Sequence, residues 1–164
     1  MLLKRIIVMR HAKSSWKDPS LDDYDRPLNK RGRRDCPKMA RALIERRWIP
    51  QLVLSSSSQR TRETWQRMAK VFDTSEIDIQ WIDSFYHGGP VDVCRQLSKL
   101  DESYSSIMVL GHNPGWEAIV ETLCGKAVRM TTANAVLLES PSESWQAKDY
   151  SFVDVLRPKE LTDN

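Results

Sequence analysis

Leu2-Leu3-Lys4-Arg5-Ile6-Ile7-Val8-Met9-Arg10-His11-Ala12 opens the chain with an apolar, β-branched run that stops at an arginine and a histidine. Residues 2–9 have the length of one strand, and their content predicts that it is buried. The same device recurs twice. Leu52-Val53-Leu54 runs into the serines 55–58 and then Arg60, and Ile107-Met108-Val109-Leu110 runs into Gly111-His112-Asn113-Pro114-Gly115. Three buried strands thus each deliver a cation, or a group that can become one, at their carboxyl ends.

Helical patterns lie between the strands. Asn29 is a natural N-cap for a helix reaching about Arg47, with Cys36, Met39, Ala40, Leu43 and Ile44 as its apolar stripe. Pro37 is expected to kink that helix, or to mark a second start capped by Asp35. The serines 55–58 cap a helix carrying Thr61, Trp65, Met68, Ala69 and Phe72, and residues 91–100 read as another. Pro114 is expected at the first position of a further helix, with Asn113 as its cap. Ile77-Ile79-Trp81 alternates like a short strand, and two late strands are expected near 133–138 and 150–156. Alternating strands and helices predict an α/β fold, a three-layer sandwich with a mostly parallel central sheet flanked by helices. In such sheets ligands bind beyond the carboxyl ends of the strands. Residues 1–157 read as a single domain and residues 158–164 as a frayed tail.

With 164 residues, 40% hydrophobic and 29% charged, the composition is globular. The net charge of +3 is spread along the chain, which argues against nucleic acid. The densest cluster, Lys30-Arg31-Gly32-Arg33-Arg34, reads as a solvated helix face. No apolar run is long enough for a membrane span, and the first ten residues are too short and too charged for a signal peptide. Cys36, Cys94 and Cys124 are an odd number, far apart and without a Cys-x-x-Cys pair, so a reducing cytoplasm is the expected compartment.

A single histidine after a strand can simply hydrogen-bond a loop carbonyl. Here Arg10, His11, Arg60 and His112 are all expected on one rim of one sheet without a matching set of carboxylates, and a shared anion explains why such groups gather. Arginine forks and helix N-termini favour phosphate. A metal fits poorly, because no closely spaced histidine pair occurs and the arginines would repel a dication.

These residues form a pattern that resembles the histidine phosphatase superfamily, also called phosphoglycerate-mutase-like, and within it the small SixA-type phosphohistidine phosphatases. The family's Arg-His-Gly triplet is matched by Arg10-His11-Ala12. Four segments match in order: Val8 to Ser14, Arg26-Pro27-Leu28-Asn29-Lys30-Arg31-Gly32, Leu54 to Thr64 around Arg60, and Val109 to Gly115; Met130-Thr131-Thr132-Ala133 is also similar. The resemblance implies that His11 is the nucleophile that becomes phosphorylated. It implies that Arg10, Arg60 and His112 complete the phosphate pocket, that Ser14 touches the phosphate, and that no metal or cofactor takes part. Ala12 stands where the wider family has glycine, and Lys13, expected to face solvent, where many relatives carry an acid.

The expected activity is that of a metal-independent phosphatase, a phosphoric-ester hydrolase of the histidine phosphatase type acting through a phosphohistidine enzyme intermediate. Its partners are a phosphorylated protein or a small phosphate compound, with inorganic phosphate as product and neither nucleic acid nor membrane involved. A protein phosphohistidine substrate, and with it a role in signal transduction, is preferred because no long insertion roofs the pocket. The alternatives are a small-molecule, sugar-phosphate-like phosphomonoesterase, which a pocket lined by a second basic cluster would favour, and a non-catalytic phosphate-binding module. A backbone carbonyl is expected to fix the His11 tautomer, and bound phosphate to favour a protonated His112. The general acid is Asp83, Tyr86, His87 or none of these. Trp48, Trp65, Trp81 and Trp145 read as core or sheet-edge residues, while Trp16 and Trp116 are candidates for an apolar rim.

Overall fold

The computed structural model describes residues 3–162. Leu2 of the expected first strand, and Asp163 and Asn164 of the expected tail, lie outside the described residues. Six strands and four α-helices alternate: β1 (Lys4–Arg10), α1 (Lys30–Glu45), β2 (Leu52–Ser56), α2 (Gln59–Ala69), β3 (Asp78–Ile82), α3 (Pro90–Leu97), β4 (Ser106–Gly111), α4 (Gly115–Cys124), β5 (Ala135–Ser140) and β6 (Ser151–Leu156). They form one sheet in the order β3-β2-β4-β1-β5-β6. The first four in that order are mutually parallel, and β5 runs antiparallel to both β1 and β6.

Period-two alternation explains the three layers. Ile7 and Met9 of β1 join Val53, Met108 and Leu110 under α1 and α2 on one face. Ile6 and Val8 join Leu52, Leu54 and Val109 against Trp116, Ile119 and Val120 of α4 and Val93 of α3 on the other. The central strands are apolar in their middles because both faces are covered there, whereas edge strand β3 has only exposed and half-buried residues.

Several local expectations need correction. Pro37 does not divide its helix: α1 continues from Lys30 to Glu45, with Asn29 Oδ1 accepting from the Gly32 N–H at 2.9 Å. Its buried face, from Cys36 to Leu43, packs on the sheet and holds the helix past the proline. Helix α4 starts one residue later than expected. Pro114 itself is the cap, and the Asn113 side chain donates to the Met130 carbonyl at 2.8 Å. Trp116 lines no rim; it is fully buried, donates to the Val109 carbonyl at 3.1 Å, and lies where a side chain on Gly111 would have to go. The described part of the expected tail is docked, with Pro158 buried and Leu161 packed against the core. Cys36, Cys94 and Cys124 are free thiols, and among the described residues no helix is long and apolar enough to cross a membrane.

Candidate active site

Strand register assembles the site. β1 and β4 are neighbours with Arg10 opposite Gly111, so the next residue of each, His11 and His112, emerges side by side. Their ring centroids are 5.2 Å apart. β2 pairs with β4 on its other side, Ser55 opposite Leu110, which brings Ser56 to His112: Ser56 Oγ is 2.8 Å from His112 Nε2. The serines expected to cap α2 thus have another employment. Ser58 is the N-cap by position but makes no side-chain cap bond; its Oγ meets Thr61 Oγ1 at 2.8 Å. In the first turn of α2, Arg60 turns its Nε toward His11 Nε2 at 3.4 Å.

The loop after β1 is held from three sides. Asn29 N–H donates to the Lys13 carbonyl, Ser15 N–H to the Pro27 carbonyl, and Ser14 bridges to Leu28. Gly32 is required because a Cβ there would lie 2.2 Å from the Lys13 carbonyl oxygen. The Ala12 N–H donates to Thr64 Oγ1 at 3.1 Å, tying the loop to α2. From the third side the Ala133 N–H reaches the His11 carbonyl at 2.9 Å, and the Met130 carbonyl accepts from Arg10 at 3.0 Å. The similar segments 8–14, 26–32, 54–64, 109–115 and 130–133 are therefore one contiguous body.

His11 Nδ1 lies 2.7 Å from the Ala12 carbonyl oxygen. A carbonyl only accepts, so Nδ1 carries the proton and Nε2 keeps its lone pair. Both rings are buried. Burial, and then the nearby His112, hold His11 well below the ordinary imidazole value, while burial and the Arg60 charge bring His112 down to about 3. Arg10 Nε and His112 Nδ1 are buried and make no hydrogen bond to the described residues. An unpartnered guanidinium N–H and an unpartnered imidazole nitrogen, beside a second imidazole and a second guanidinium, suit an oxyanion.

Stability should therefore depend on mild acid. In the unfolded chain these rings take up protons near pH 6.5, while in the folded pocket they stay neutral well below that. The unfolded state binds more protons as the pH falls through about 6.5. Stability that is fully present above this value is lost progressively toward pH 3, with a slope of up to about 1.4 kcal/mol per pH unit for each ring. Denaturant unfolding between pH 7.5 and 4.5 measures this, and a level curve would contradict it.

Ser14 is buried, and its Oγ accepts from Arg26 at 2.8 Å. Of the residues considered as a general acid, Asp83 accepts from Ser57 Oγ at 2.6 Å, Tyr86 donates to Asp23 at 2.6 Å, and exposed His87 lies against the Tyr86 ring at 4.0 Å. Tyr86 also meets His112 edge-on at 5.5 Å. Gly115 leaves room for this turn, since a Cβ there would lie 1.9 Å from the Gly88 carbonyl oxygen.

The sequence reading missed Asp23. It stands in the loop between β1 and α1, and its carboxylate accepts from Arg60 at 3.0 Å, so the rim does have a carboxylate. Tyr86's hydrogen bond, with Arg60's charge, holds it well below the usual carboxylate range. Trp16 is exposed, with the Arg26 guanidinium 3.5 Å over its ring. The basic cluster is solvated as expected, with Lys30, Arg31, Arg33 and Arg34 exposed; Arg31 and Arg34, with Asp35, Lys38, Thr131, Thr132 and Lys159, border a cavity of about 120 Å³. Among the described residues no group of three or more His, Cys, Asp or Glu could hold a metal ion.

Comparison with known proteins agrees with this geometry. Residues 6–83 match the model of the histidine phosphatase superfamily, branch 1. An uncharacterised chloroplastic protein of Arabidopsis thaliana is 42% identical over 151 residues, spanning 87% of this chain and 69% of that protein. The solved structure of an Agrobacterium tumefaciens protein, named as a phosphohistidine phosphatase of the SixA type, superposes with a TM-score of 0.82 at 29% identity, covering 94% of this chain and 98% of that one. The protein histidine phosphatase SixA complexed with tungstate gives a TM-score of 0.82 at 21% identity over 94% and 97% of the two chains, a likeness of fold. With two histidines and two arginines on the carboxyl edge of a phosphoglycerate-mutase-like sheet, the chain belongs to the histidine phosphatase superfamily.

Proposed function

We propose that this phosphatase removes phosphate from phosphohistidine on a protein, through a phosphohistidine intermediate on His11. The observation that carries the reading is the His11 ring, whose Nδ1–H is committed to the Ala12 carbonyl at 2.7 Å while Nε2 faces Arg60. A neutral imidazole needs no base before it attacks phosphorus. The Arg10 and Arg60 guanidiniums take the equatorial oxygens, which is most of what phosphoryl transfer asks of a protein. His112 gains a proton when the dianion arrives, because the phosphate oxygens offset what burial and Arg60 oppose. Its Ser56 partner accepts or donates and so serves both states. Water then attacks the phosphorylated His11 from the side that the leaving group has vacated. Ser14, held by Arg26, supports the loop geometry beside the phosphate.

The protein substrate is favoured by the lack of an evident acid, since Asp23 is a carboxylate and Tyr86 is engaged with it. The SixA-type name of the Agrobacterium protein supports the same class, and such a reaction belongs to signal transduction in the cytoplasm. A second reading, a small-molecule phosphomonoesterase, draws support from the basic cavity beside Thr131 and Thr132, although none of Arg10, His11, Arg60 and His112 lines it. The test is phosphate release from a phosphohistidine-bearing carrier protein, with and without chelator. Release should proceed equally in both. No release, alongside rapid hydrolysis of sugar phosphates, would transfer the assignment to the second reading.

A further inference from the structure

A pocket that only has to bind phosphate gains nothing from a carboxylate. Asp23 nevertheless sits at its edge, tied to three elements. Its Oδ2 accepts from Arg60 Nη2 at 3.0 Å and from the Tyr86 hydroxyl at 2.6 Å, its Oδ1 accepts from Arg26 Nε at 3.1 Å, and its main-chain carbonyl accepts from Arg60 Nη1 at 2.7 Å. Arg60, Tyr86 and Arg26 make these contacts, and the Asp23 charge also reaches His112; Tyr24 and His87 touch the Tyr86 ring instead. The Asp23 side chain is 44% exposed, so a ligand can reach it from solvent.

Its place relative to His11 matters. Arg60 directs Nε to His11 Nε2 and both Nη atoms to Asp23. The carboxylate therefore lies across the guanidinium from the nucleophile, beside the space that a substrate on His11 would occupy. A fixed negative charge there repels an incoming phosphate dianion. The repulsion is offset when the substrate carries a positive charge next to its phosphoryl group. An N-phosphorylated imidazole does so, because its second ring nitrogen can be protonated, and the resulting N–H is a charge-assisted donor to a carboxylate.

We propose that Asp23 is the residue by which this pocket selects phosphoramidates over phosphate esters, accepting a hydrogen bond from the protonated distal nitrogen of the substrate ring. The proposal rests on the phosphohistidine reading above. In the step itself, the lone pair of His11 Nε2 forms the new N–P bond and the substrate's P–N bond breaks. The bonding pair returns to the substrate ring, which already carries its proton on the distal nitrogen and leaves as neutral imidazole. Asp23 remains a carboxylate throughout. The ring's positive charge fades as the bond breaks, so the contact strengthens binding of the reactive protonated form more than it lowers the barrier from the bound state. Its signature is in KM rather than kcat.

The experiment compares Asp23→Asn with the unaltered protein on a phosphohistidine-bearing peptide and on p-nitrophenyl phosphate. The variant should raise KM for the peptide about tenfold with kcat within about twofold, as for loss of one charge-assisted contact. For the aryl phosphate its kcat/KM should rise, because the repulsion is lifted, and Asp23→Glu should restore much of the original preference. Equal losses of kcat on both substrates would overturn the proposal and leave Asp23 as a support for Arg60. If the Asn variant melts below assay temperature, Asp23→Ser, which keeps an acceptor for Arg60, is measured in the same way. An unaltered protein that shows no preference for the peptide over the aryl phosphate would instead remove the phosphohistidine reading itself, whatever the variants do.

Discussion

Replacing His11 with alanine is expected to abolish both turnover and the phosphoenzyme. In the unaltered protein, quenching during turnover should trap a phosphorylated chain that is stable to base and labile to acid, as a phosphorus–nitrogen bond to imidazole is. The variant should trap none. His112 is the only other imidazole in the pocket, its centroid 5.2 Å from that of His11, and it is the one group placed to take over. However, its Nε2 is engaged by Ser56 at 2.8 Å, and its part is to become a cation against the phosphate oxygens. A protonated ring has no lone pair with which to attack. Arg60→Ala and His112→Ala each remove a preorganised donor and should lower activity by about 10²-fold or more, yet both should still trap some phosphoenzyme. A phosphoenzyme of ordinary amount in His11→Ala would move the covalent role to His112 and reverse the assignment.

The pocket's main members were legible because they depend on strand ends. Once β1, β2 and β4 are recognised as buried strands of a parallel sheet, Arg10, His11, Arg60 and His112 must share its carboxyl edge, and only the register is left to the structure. The order of strands across the sheet was not legible, since nothing in 135–140 says that β5 runs against β1. Asp23 was missed for a related reason. It lies in an Asp- and Pro-rich loop with no periodicity, and what brings it to Arg60 is a set of distant contacts, among them Tyr24 hydroxyl to the Ser57 carbonyl at 2.9 Å. Trp116 was misread because its spacing from His112 suggested a rim, whereas helix α4 turns that position inward over Gly111. The second helix start expected at Asp35 does not occur, because packing against the sheet carries α1 through Pro37 despite one lost hydrogen bond.

The second large effect is in the leaving group. The pocket offers a nucleophile and a charge clamp, but its visible acids are committed. Burial, and then the bond to Asp23, raise the Tyr86 phenol above its usual value and direct its proton to a carboxylate. Asp83 accepts from Ser57. An alkyl phosphate must expel an alkoxide, and without a positioned acid that step forfeits about 10²–10⁴-fold. Phosphohistidine loses a ring whose free pKa is about 6.5, and whose second nitrogen takes a proton from solvent beforehand, so it needs no enzyme acid. The expected order of kcat/KM is therefore phosphohistidine or phosphoramidate, then aryl phosphates, then alkyl phosphates, with about 10²-fold or more between the first and the last. Exposed His87, resting on the Tyr86 ring at 4.0 Å, is the remaining group that could donate at the rim, and His87→Ala should leave phosphohistidine turnover within about twofold. Alkyl phosphates turned over as fast as phosphohistidine, with that activity destroyed selectively by His87→Ala, would identify His87 as the acid. The protein would then be an ester hydrolase, because an acid poised over the bridging oxygen has no use when the leaving group is already protonated.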